Sequence, residues 1–201
     1  MIAIIDYGMG NLHSVLKAFK RINSDVIISS DINEIKKADK LILPGVGHFK
    51  NGMKKLKEKN LIGVLNDMVL KEKKPILGIC LGVQLFTKHS EEGDVDGLGW
   101  IDAKTVKFKD SKFKIPHMGW NDLNIKKNSV LFDGINNENN FYFVHSYYLD
   151  CKDQGDVLAT TSYSKEFVSA IQKENIFGVQ FHPEKSHSYG LQILKNFASK
   201  I

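Results

Sequence analysis

The chain is predicted to be an α/β protein whose largely parallel sheet is covered by helices on both faces, with an antiparallel extension in the second half. In the first half, short runs that are apolar throughout alternate with amphipathic segments. This pattern is typical of parallel strands buried on both faces and joined by helices. From residue 100 to 181, apolar and polar residues alternate in short segments separated by turns, which favours antiparallel hairpins. We expect residues 1–201 to form one domain.

Four strands are predicted in the first half, at 2–6, 25–29, 41–43 and 75–79. Helices are predicted at 12–22, at 32–38 with Asp31 as the N-cap, and at 52–71. Pro44-Gly45 is expected to end the third strand. A further helix is expected after Cys80.

Five strands are predicted in the second half, at 105–109, 141–148, 157–161, 168–172 and 177–181. The last two are expected to form a hairpin through residues 173–175. A final helix is predicted at 189–199. The chain has no internal repeat and no low-complexity linker.

Composition argues against several classes of protein. The net charge of +5 comes from lysine, and Arg21 is the only arginine. Proteins that bind nucleic acids usually cluster arginine, so a lysine-rich solvated surface is the favoured interpretation. The glycine-rich turn at 8–11 lacks the third glycine of a dinucleotide-binding motif, because His13 occupies that position.

The chain is expected to work in the reducing cytoplasm. No apolar run approaches the ~18 residues that span a bilayer, and the apolar start lacks the basic flank of a signal peptide. Its two cysteines, Cys80 and Cys151, do not make a disulfide framework or a structural zinc site.

The strongest chemical signal is Gly78-Ile79-Cys80-Leu81-Gly82, between a predicted strand and a predicted helix. It has the spacing of the tight turn that exposes a nucleophile, with cysteine in place of serine, and the glycines are needed because larger side chains would collide. The positive end of the following helix favours the thiolate. The backbone N–H of Leu81 is expected to point toward a developing oxyanion. Taken alone, the pentapeptide is equally typical of a buried structural cysteine.

A thiol nucleophile needs a base, and the base needs a group that orients it. His182-Pro183-Glu184 follows the predicted strand 177–181, and alternate strand residues point to the same side. His182 is therefore expected to take the proton of Cys80, and Glu184 to hold the other ring nitrogen. Alone, the tripeptide would be interpreted as a solvated turn. Together with the cysteine turn, it predicts a catalytic triad that hydrolyses an amide.

A second glycine-rich turn, Pro44-Gly45-Val46-Gly47, follows the third predicted strand. Backbone N–H groups at Gly45 and Val46 could provide a second oxyanion donor beside Leu81. An ordinary connection between a strand and a helix is the alternative interpretation.

Together these motifs resemble the class I, triad-type glutamine amidotransferases, in which they occur in the same order. Within that family the chain is most similar to the glutaminase subunits of imidazole glycerol phosphate synthase. The resemblance implies the flavodoxin-like amidotransferase fold. The matching segments span nearly the whole chain, at 6–11, 43–47, 78–84, 97–100, 116–121, 143–147 and 181–186.

The resemblance implies that the substrate is L-glutamine. Cys80 would attack its side-chain amide, giving a glutamyl thioester and ammonia, and water would then release glutamate. The ammonia would pass to a (β/α)₈-barrel cyclase/synthase subunit in a heterodimer that serves histidine biosynthesis. No metal or organic cofactor is implied for this subunit.

Further roles carry over by position. The glutamine site would be lined by Gly47, Gln84, Glu92, His145, Ser146 and Tyr147. The partner would contact Gly10, Asn11, Trp120, Asn121, Tyr142 and Lys185. The isolated chain would be nearly inactive if the 44–47 turn supplies its oxyanion donor only in the complex, because losing one such donor typically costs ~10²–10³ in rate. Ordinary rim aromatics and a surface lysine are the alternative for Trp120, Tyr142 and Lys185.

The identity of the partner stays open at this point. His187 follows the His-Pro-Glu-Lys-Ser segment, where many histidine-pathway members have a small or acidic residue. Relatives that feed ammonia to synthases of cell-surface sugars would share the same active site. A stand-alone cysteine hydrolase is a further alternative, against which Gln84 and the adjacent His-Pro-Glu argue. A non-enzymatic scaffold is another, and the intact triad argues against it. Cys151, which has no base nearby in the sequence, is assigned to structure.

Overall fold

The computed structural model describes all residues, 1–201. Its centre is a block of five parallel strands in the spatial order β2 (Val26–Ser29), β1 (Ile2–Ile5), β3 (Lys40–Gly45), β4 (Ile76–Cys80) and β14 (Ile176–Val179). Beyond β14 the sheet continues through three antiparallel pairings to β13 (Glu166–Lys173), β11 (Tyr147–Cys151) and β7 (Ile101–Lys107). It ends in β5 (Thr87–Ser90) and β6 (Val95–Asp96), while β12 (Val157–Ser162) and β9 (Asn124–Ile125) branch from β13. This mixed 12-stranded sheet confirms the predicted parallel core with an antiparallel extension.

Helices cover both faces of the parallel block. The six helices are α1 (Leu12–Arg21), α2 (Ile32–Lys37), α3 (Phe49–Glu58), α4 (Leu61–Asn66), α5 (Leu81–Gln84) and α6 (His187–Lys200). One apolar core holds Ile4 with Phe19 of α1 and Phe197 of α6. The other holds Ile5 with Leu56 and Leu65, from α3 and α4. Because successive residues of a strand point to opposite faces, β1 must be apolar throughout to fill both cores.

The predicted boundaries of α1 and α2 are confirmed within a residue. Asp31 caps α2 as expected, because its side chain accepts hydrogen bonds from the backbone N–H groups of Asn33 and Glu34 at 2.8 and 3.0 Å. No helix is both long and apolar enough to cross a membrane.

The single helix predicted at 52–71 is wrong. α3 ends at Glu58, Asn60 adopts a left-handed backbone with φ of 55°, and α4 starts at Leu61, followed by a π-helical turn at Asp67–Lys71. Leu56 and Leu61 are both fully buried. Five residues along one continuous helix would place these side chains well apart around the axis, so the break lets both reach the core. Asparagine tolerates the left-handed conformation that the break needs.

The expectation that Pro44-Gly45 ends the third strand is also wrong. β3 runs through Gly45, with Pro44 opposite Ile79 and Gly45 opposite Cys80 of β4. On its other side, β3 pairs with β1 only as far as Ile42. Proline is tolerated at Pro44 because no second neighbouring strand needs its missing N–H.

Three strand predictions in the second half need correction, the first being 105–109, because the strand there is β7 at Ile101–Lys107. The segment predicted as one strand at 141–148 forms β10 (Phe141–His145) and β11, which belong to different sheets and meet at Ser146. β10 pairs with β8 (His117–Asn121) in a separate two-stranded sheet, in which β10 buries one side and leaves the other partly exposed, while β8 exposes Met118 and Trp120 on its outer side. β14 ends at Val179, before the predicted 181. The 173–175 hairpin is confirmed, and α6 starts at His187, two residues earlier than predicted.

Candidate active site

Cys80 is the last residue of β4 and lies on a strained turn. Its backbone has φ of 54° and ψ of −109°, which non-glycine residues adopt at a cost of order 1–3 kcal/mol. The glycine on either side allows the turn to pack. A Cβ on Gly82 would lie 1.7 Å from the carbonyl oxygen of Leu43, and one on Gly78 would lie 2.6 Å from the ring of Phe86. The turn thus has the geometry that the pentapeptide predicts.

The expected helix after Cys80 is present but is a single turn. α5 contains only four residues, Leu81–Gln84, before the chain turns toward β5. A single turn carries few aligned peptide dipoles, so local N–H groups contribute more to the field at the sulfur than a macrodipole does.

His182 and Glu184 are hydrogen-bonded, with 2.8 Å between Nδ1 and Oε1, and both side chains are buried. The contact does not arise from strand alternation, because Glu184 belongs to a 3₁₀ turn, Pro183–Lys185. That turn is tied to β10: the backbone N–H of His182 donates to the carbonyl of Tyr142 at 2.8 Å, and the Ser186 hydroxyl accepts from the N–H of Tyr142 at 3.0 Å. The second sheet therefore holds the histidine in place.

The electrostatics of His182 favour a charged imidazolium. Burial lowers the pKa of His182, but the neighbouring Cys80 sulfur and the Glu184 carboxylate raise it by more, so the net direction is upward. The ring atom Nε2 is buried and has no hydrogen-bond partner, so the Cys80 sulfur acts on it through proximity rather than through a formed hydrogen bond. A buried nitrogen without a partner beside a thiol is suited to exchange a proton with a reacting group.

A cavity of about 370 Å³ opens over the thiol, within the ~300–1,000 Å³ typical of small-molecule sites. Cys80, His182, Val46 and Leu81 line it, together with all six residues predicted to hold glutamine. The structure therefore gathers into one space residues from five separate segments of the chain.

Two polar groups in the cavity wall are suited to a ligand with charged ends. One carboxylate oxygen of Glu92 accepts the backbone N–H of Phe49 at 2.7 Å, which leaves the other oxygen free. Burial, together with the nearby carboxylates of Glu92 and Glu91, raises the pKa of the Tyr147 phenol. Tyr147 is therefore a neutral donor in the wall beside an anionic acceptor.

The two segments predicted to form the oxyanion site lie side by side. Gly45 is opposite Cys80 in the β3–β4 register. A Cβ on Gly45 would be 2.9 Å from Cβ of Leu81 and 2.3 Å from the Tyr7 hydroxyl. Val46 is half-exposed in the cavity wall, and Gly47 has φ of +102°. Only glycine fits at position 45, because any Cβ there would overlap Tyr7 and Leu81. The absence of a side chain lets the Gly45 segment and the Leu81 segment approach each other next to the Cys80 sulfur.

Three of the residues predicted to contact a partner, Trp120, Tyr142 and Lys185, lie together at the 3₁₀ turn Pro183–Lys185. Trp120 is 48% exposed, lies 6.0 Å from the ring of Tyr142, and stacks on His187 at 4.8 Å with an interplanar angle of 8°. The Lys185 ammonium lies 5.7 Å from the Tyr142 ring. The fourth, Asn121, follows Trp120 at the end of β8, and its side chain turns to the other face, where it contacts His117. An exposed tryptophan beside a partly exposed tyrosine on one small sheet is typical of a protein-binding surface.

The remaining two predicted contact residues lie near the oxyanion segment. Gly10 packs against the backbone of Pro44 and Gly45, where a Cβ would be 3.5 Å from each. Asn11 is exposed and caps α1 by accepting the N–H of Ser14. This loop therefore touches the segment that lies beside Cys80.

Sequence reasoning missed three residues of this region. Gln180 lies behind the sulfur, His117 is buried against His145, and Met118 is 62% exposed beside Trp120. The alternation of β8 could have shown that Met118 and Trp120 share its outer face, but no local pattern could have brought Gln180 to Cys80. No group of three or more His, Cys, Asp or Glu side chains is placed to hold a metal ion. Cys151 is buried. Burial, with a smaller contribution from nearby aspartates, raises the pKa of its thiol to about 12.

The chain matches known proteins over its whole length. A model of the family described as glutamine amidotransferase class-I matches residues 3–201. A protein of Methanococcus maripaludis named imidazole glycerol phosphate synthase subunit HisH 2 is 56% identical over 198 residues, which cover 98% of each chain. Subunit HisH 1 of Campylobacter jejuni is 54% identical over 200 residues, covering 98% of this chain and 99% of the relative. Subunit HisH 2 of Pseudomonas aeruginosa is 46% identical over 203 residues and covers both chains completely.

Solved structures support the same fold. A crystal structure of a glutamine amidotransferase superposes with a TM-score of 0.77 at 16% identity, covering 98% of each chain. The glutaminase domain of Trypanosoma brucei CTPS with bound acivicin superposes with a TM-score of 0.66 at 18% identity, covering 98% of this chain and 93% of that one. At such identities the likeness concerns the fold alone, whereas the family follows from the family model and the sequence relatives. The chain belongs to the class-I glutamine amidotransferase family.

Proposed function

We propose that this chain is the glutaminase subunit of an imidazole glycerol phosphate synthase, acting in the cytoplasm as one domain of residues 1–201. It hydrolyses L-glutamine to glutamate and ammonia and delivers the ammonia to a (β/α)₈-barrel cyclase subunit in histidine biosynthesis. The observation that carries the proposal is that Cys80 and His182 line one cavity, with the buried Glu184 hydrogen-bonded to His182 behind it. The relatives named as subunits of that synthase, which match over their full lengths, support the choice of reaction.

The first half of the reaction uses the thiolate of Cys80 and the imidazolium of His182. The sulfur attacks the side-chain amide carbon of glutamine, and a C–S bond forms while the carbonyl oxygen becomes an oxyanion. Backbone N–H groups of Leu81 and of the Gly45–Val46 segment stabilise that charge. The C–N bond then breaks, and His182 gives its proton to the departing nitrogen, which leaves as ammonia.

The second half returns the enzyme to its starting state. The now neutral His182 takes a proton from a water molecule, which attacks the thioester carbon. The C–S bond breaks, giving glutamate and the thiolate. Glu184 keeps Nδ1 of His182 protonated and stabilises the imidazolium in both halves, consistent with the 2.8 Å contact.

Glutamine is oriented by the groups that line the cavity. The free oxygen of Glu92 accepts from its α-ammonium group. The backbone of Gly47, Ser146 and Tyr147 and the amide oxygen of Gln84 provide further polar contacts. Both ring nitrogens of His145 are hydrogen-bonded within the protein, so this residue shapes the wall and does not bind the substrate through its ring.

The partner subunit docks on the surface formed by Trp120, Asn121, Tyr142 and Lys185, together with the loop at Gly10 and Asn11. The Tyr142 backbone hydrogen-bonds directly to His182 and Ser186, which flank the turn Pro183–Lys185. Docking can therefore act on the triad and on the oxyanion segment, and we expect low glutaminase activity in the isolated chain.

The test is glutamate release from glutamine, by the chain alone and mixed with the barrel synthase from the same organism and its phosphoribosyl ligand. Stimulation of at least ~10²-fold is expected, the effect of one oxyanion donor, and Cys80→Ala abolishes it. Equal rates with and without the synthase would contradict a partner-dependent glutaminase. Turnover of a peptide in preference to glutamine would instead favour a stand-alone hydrolase.

One observation favours a second candidate, an amidotransferase that feeds a synthase of cell-surface sugars. His187, which replaces a small or acidic residue, stacks on Trp120 and so alters the docking surface itself. Stimulation by a surface-sugar synthase but not by the histidine-pathway cyclase would select this candidate.

A further inference from the structure

Gln180 is the one buried side-chain amide that touches the nucleophile from behind. Its Nε2 lies 3.8 Å from Sγ of Cys80, within the range of an N–H···S hydrogen bond, and only 1% of the residue is exposed. Gln180 does not line the substrate cavity. Because an N–H donor favours a charged acceptor, this contact stabilises the thiolate if the amide presents its nitrogen, and destabilises it if the amide presents its oxygen.

The neighbouring groups decide which end faces the sulfur. Gln84 is buried, and its Nε2 is 3.0 Å from both the Tyr147 carbonyl oxygen and Oε1 of Gln180. A carbonyl oxygen can only accept, so Gln84 must present its nitrogen there. The second N–H of the same nitrogen requires an acceptor, which places the oxygen of Gln180 toward Gln84 and its nitrogen toward Cys80.

The Tyr147 carbonyl also receives a second donor, from a pair of buried histidines. Nδ1 of His145 lies 2.8 Å from that oxygen, so it carries the proton and leaves Nε2 as an acceptor. Nδ1 of His117 lies 3.0 Å from this Nε2 and must therefore be the donor. Nε2 of His117 then accepts from the Asn121 amide at 3.3 Å, which also donates to the carbonyl of Ser162 at 2.9 Å.

One assignment of protons satisfies every one of these contacts. The chain of hydrogen bonds starts at the partly exposed Asn121 at the end of β8 and runs through His117, His145, the Tyr147 carbonyl and Gln84 to Gln180. Its direction reverses at the Tyr147 oxygen, which accepts from both sides. No proton can pass through that point, so the chain orients groups and does not relay protons.

We propose that Gln180 is a further catalytic residue that stabilises the thiolate of Cys80. Its orientation is set by Gln84 and the Tyr147 carbonyl, and the hydrogen-bond chain from Asn121 through His117 and His145 holds that carbonyl in place. His117, His145 and Gln84 are then positioning residues. The inference rests on the proposed function only in taking Cys80 as the nucleophile. It gives the surface next to Trp120 a physical connection to the sulfur that is separate from the connection through the catalytic turn.

The experiment measures the alkylation rate of Cys80 by iodoacetamide against pH, in the Cys151→Ala background and without any partner. Gln180→Glu keeps the shape and the acceptor for Gln84 but presents a carboxylate oxygen to the sulfur. We expect the rate at pH 7.5 to fall at least ~10-fold and the midpoint of the pH–rate profile to rise by about one pH unit or more. Gln180→Met removes the donor without adding charge, and a smaller shift in the same direction is expected. Circular dichroism and a thermal melt identify variants that fail to fold.

The far end of the chain provides a matched pair of variants. His117→Phe keeps a ring but removes the donor to His145, whereas His117→Asn retains an amide nitrogen near the position of Nδ1. We expect His117→Phe to lower the alkylation rate about threefold, as for partial loss of one hydrogen bond, and His117→Asn to restore most of it.

Two results would overturn the inference. One is a folded Gln180→Glu or Gln180→Met variant whose pH–rate profile matches that of the parent. The other is equal alkylation of the His117→Phe variant and the parent, which would remove the link to the surface. A parent that is alkylated normally but releases no glutamate from glutamine with any barrel synthase would contradict the proposed function and leave the test of Gln180 intact.

Discussion

Mild acid is expected to destabilise this protein through the buried pair His117 and His145. Burial lowers the pKa of His117 to about 4. Burial also lowers the pKa of His145 to about 3. The hydrogen bond to the Tyr147 carbonyl raises that pKa, and the nearby His117 and His182 lower it. Each neutral ring donates with one nitrogen and accepts with the other. Protonation of either ring would leave two N–H donors facing each other in a dry site.

The sign and size follow from proton linkage. Both folded pKa values lie below the value of about 6.5 of an unfolded histidine, so the unfolded state binds more protons between about pH 4 and pH 6.5. The stability contribution is complete above that window and is lost as the pH falls through it. At pH 5 the unfolded histidine is nearly fully protonated and the folded one is not, which costs about 2 kcal/mol for each ring and about 4 kcal/mol for the pair. That is a large part of the ~5–15 kcal/mol that stabilises a typical domain.

The assay is urea denaturation at pH 7.5 and pH 5.0, with unfolding followed by circular dichroism. His117→Asn removes one titrating ring while keeping a donor to His145, so it should lose about 2 kcal/mol less than the parent on acidification. His13→Asn, at an exposed position of α1, is the matched control and should behave like the parent. If His117→Asn loses as much stability on acidification as the parent does, the burial argument is wrong.

Three further results are expected. Gly82→Ala should destabilise the protein by more than ~3 kcal/mol in urea denaturation, because the added Cβ would overlap the carbonyl of Leu43. Its control is Gly63→Ala, at an exposed helical position with no atom nearby, which should stabilise the protein by ~0.5–1 kcal/mol. Native alkylation at pH 7.5 followed by mass spectrometry should leave Cys151 unlabelled, because burial raises its pKa to about 12; labelling of both thiols at similar rates would contradict this. Trp120→Ala should weaken the complex with the synthase by ~2 kcal/mol or more in a titration, as for an exposed aromatic hot spot, and an unchanged affinity would place the interface elsewhere.

Local patterns in the sequence were sufficient for the parallel core. β1, β3 and β4 are buried on both faces, so their sequences are apolar throughout. The cap at Asp31 depends on hydrogen bonds between residues close in sequence. Both features can therefore be recognised from the sequence. The prediction failed at 52–71, where the apolar spacing changes phase between Leu56 and Leu61 and the backbone breaks at Asn60. There, the need to bury Leu56 and Leu61 against one sheet outweighs helix propensity.

The active site shows the same division. The turn at Cys80 could be predicted because the strained backbone requires glycine at nearby positions in the sequence, Gly78 and Gly82, where a Cβ would clash. The pairing of His182 with Glu184 was predicted correctly for a wrong reason, since a 3₁₀ turn and not strand alternation brings the two together.

The sequence by itself indicated the proposed chemistry: a candidate nucleophile, base and orienting carboxylate, each in a short segment with its own steric or hydrogen-bonding signature. The tertiary structure alone decided how that chemistry is supported. Gln180 reaches Cys80, and His117 reaches His145, only because strands distant in sequence lie next to each other. Such contacts depend on sheet order and on the crossing at Ser146, where the chain leaves one sheet for another, and no periodicity along the chain encodes that crossing.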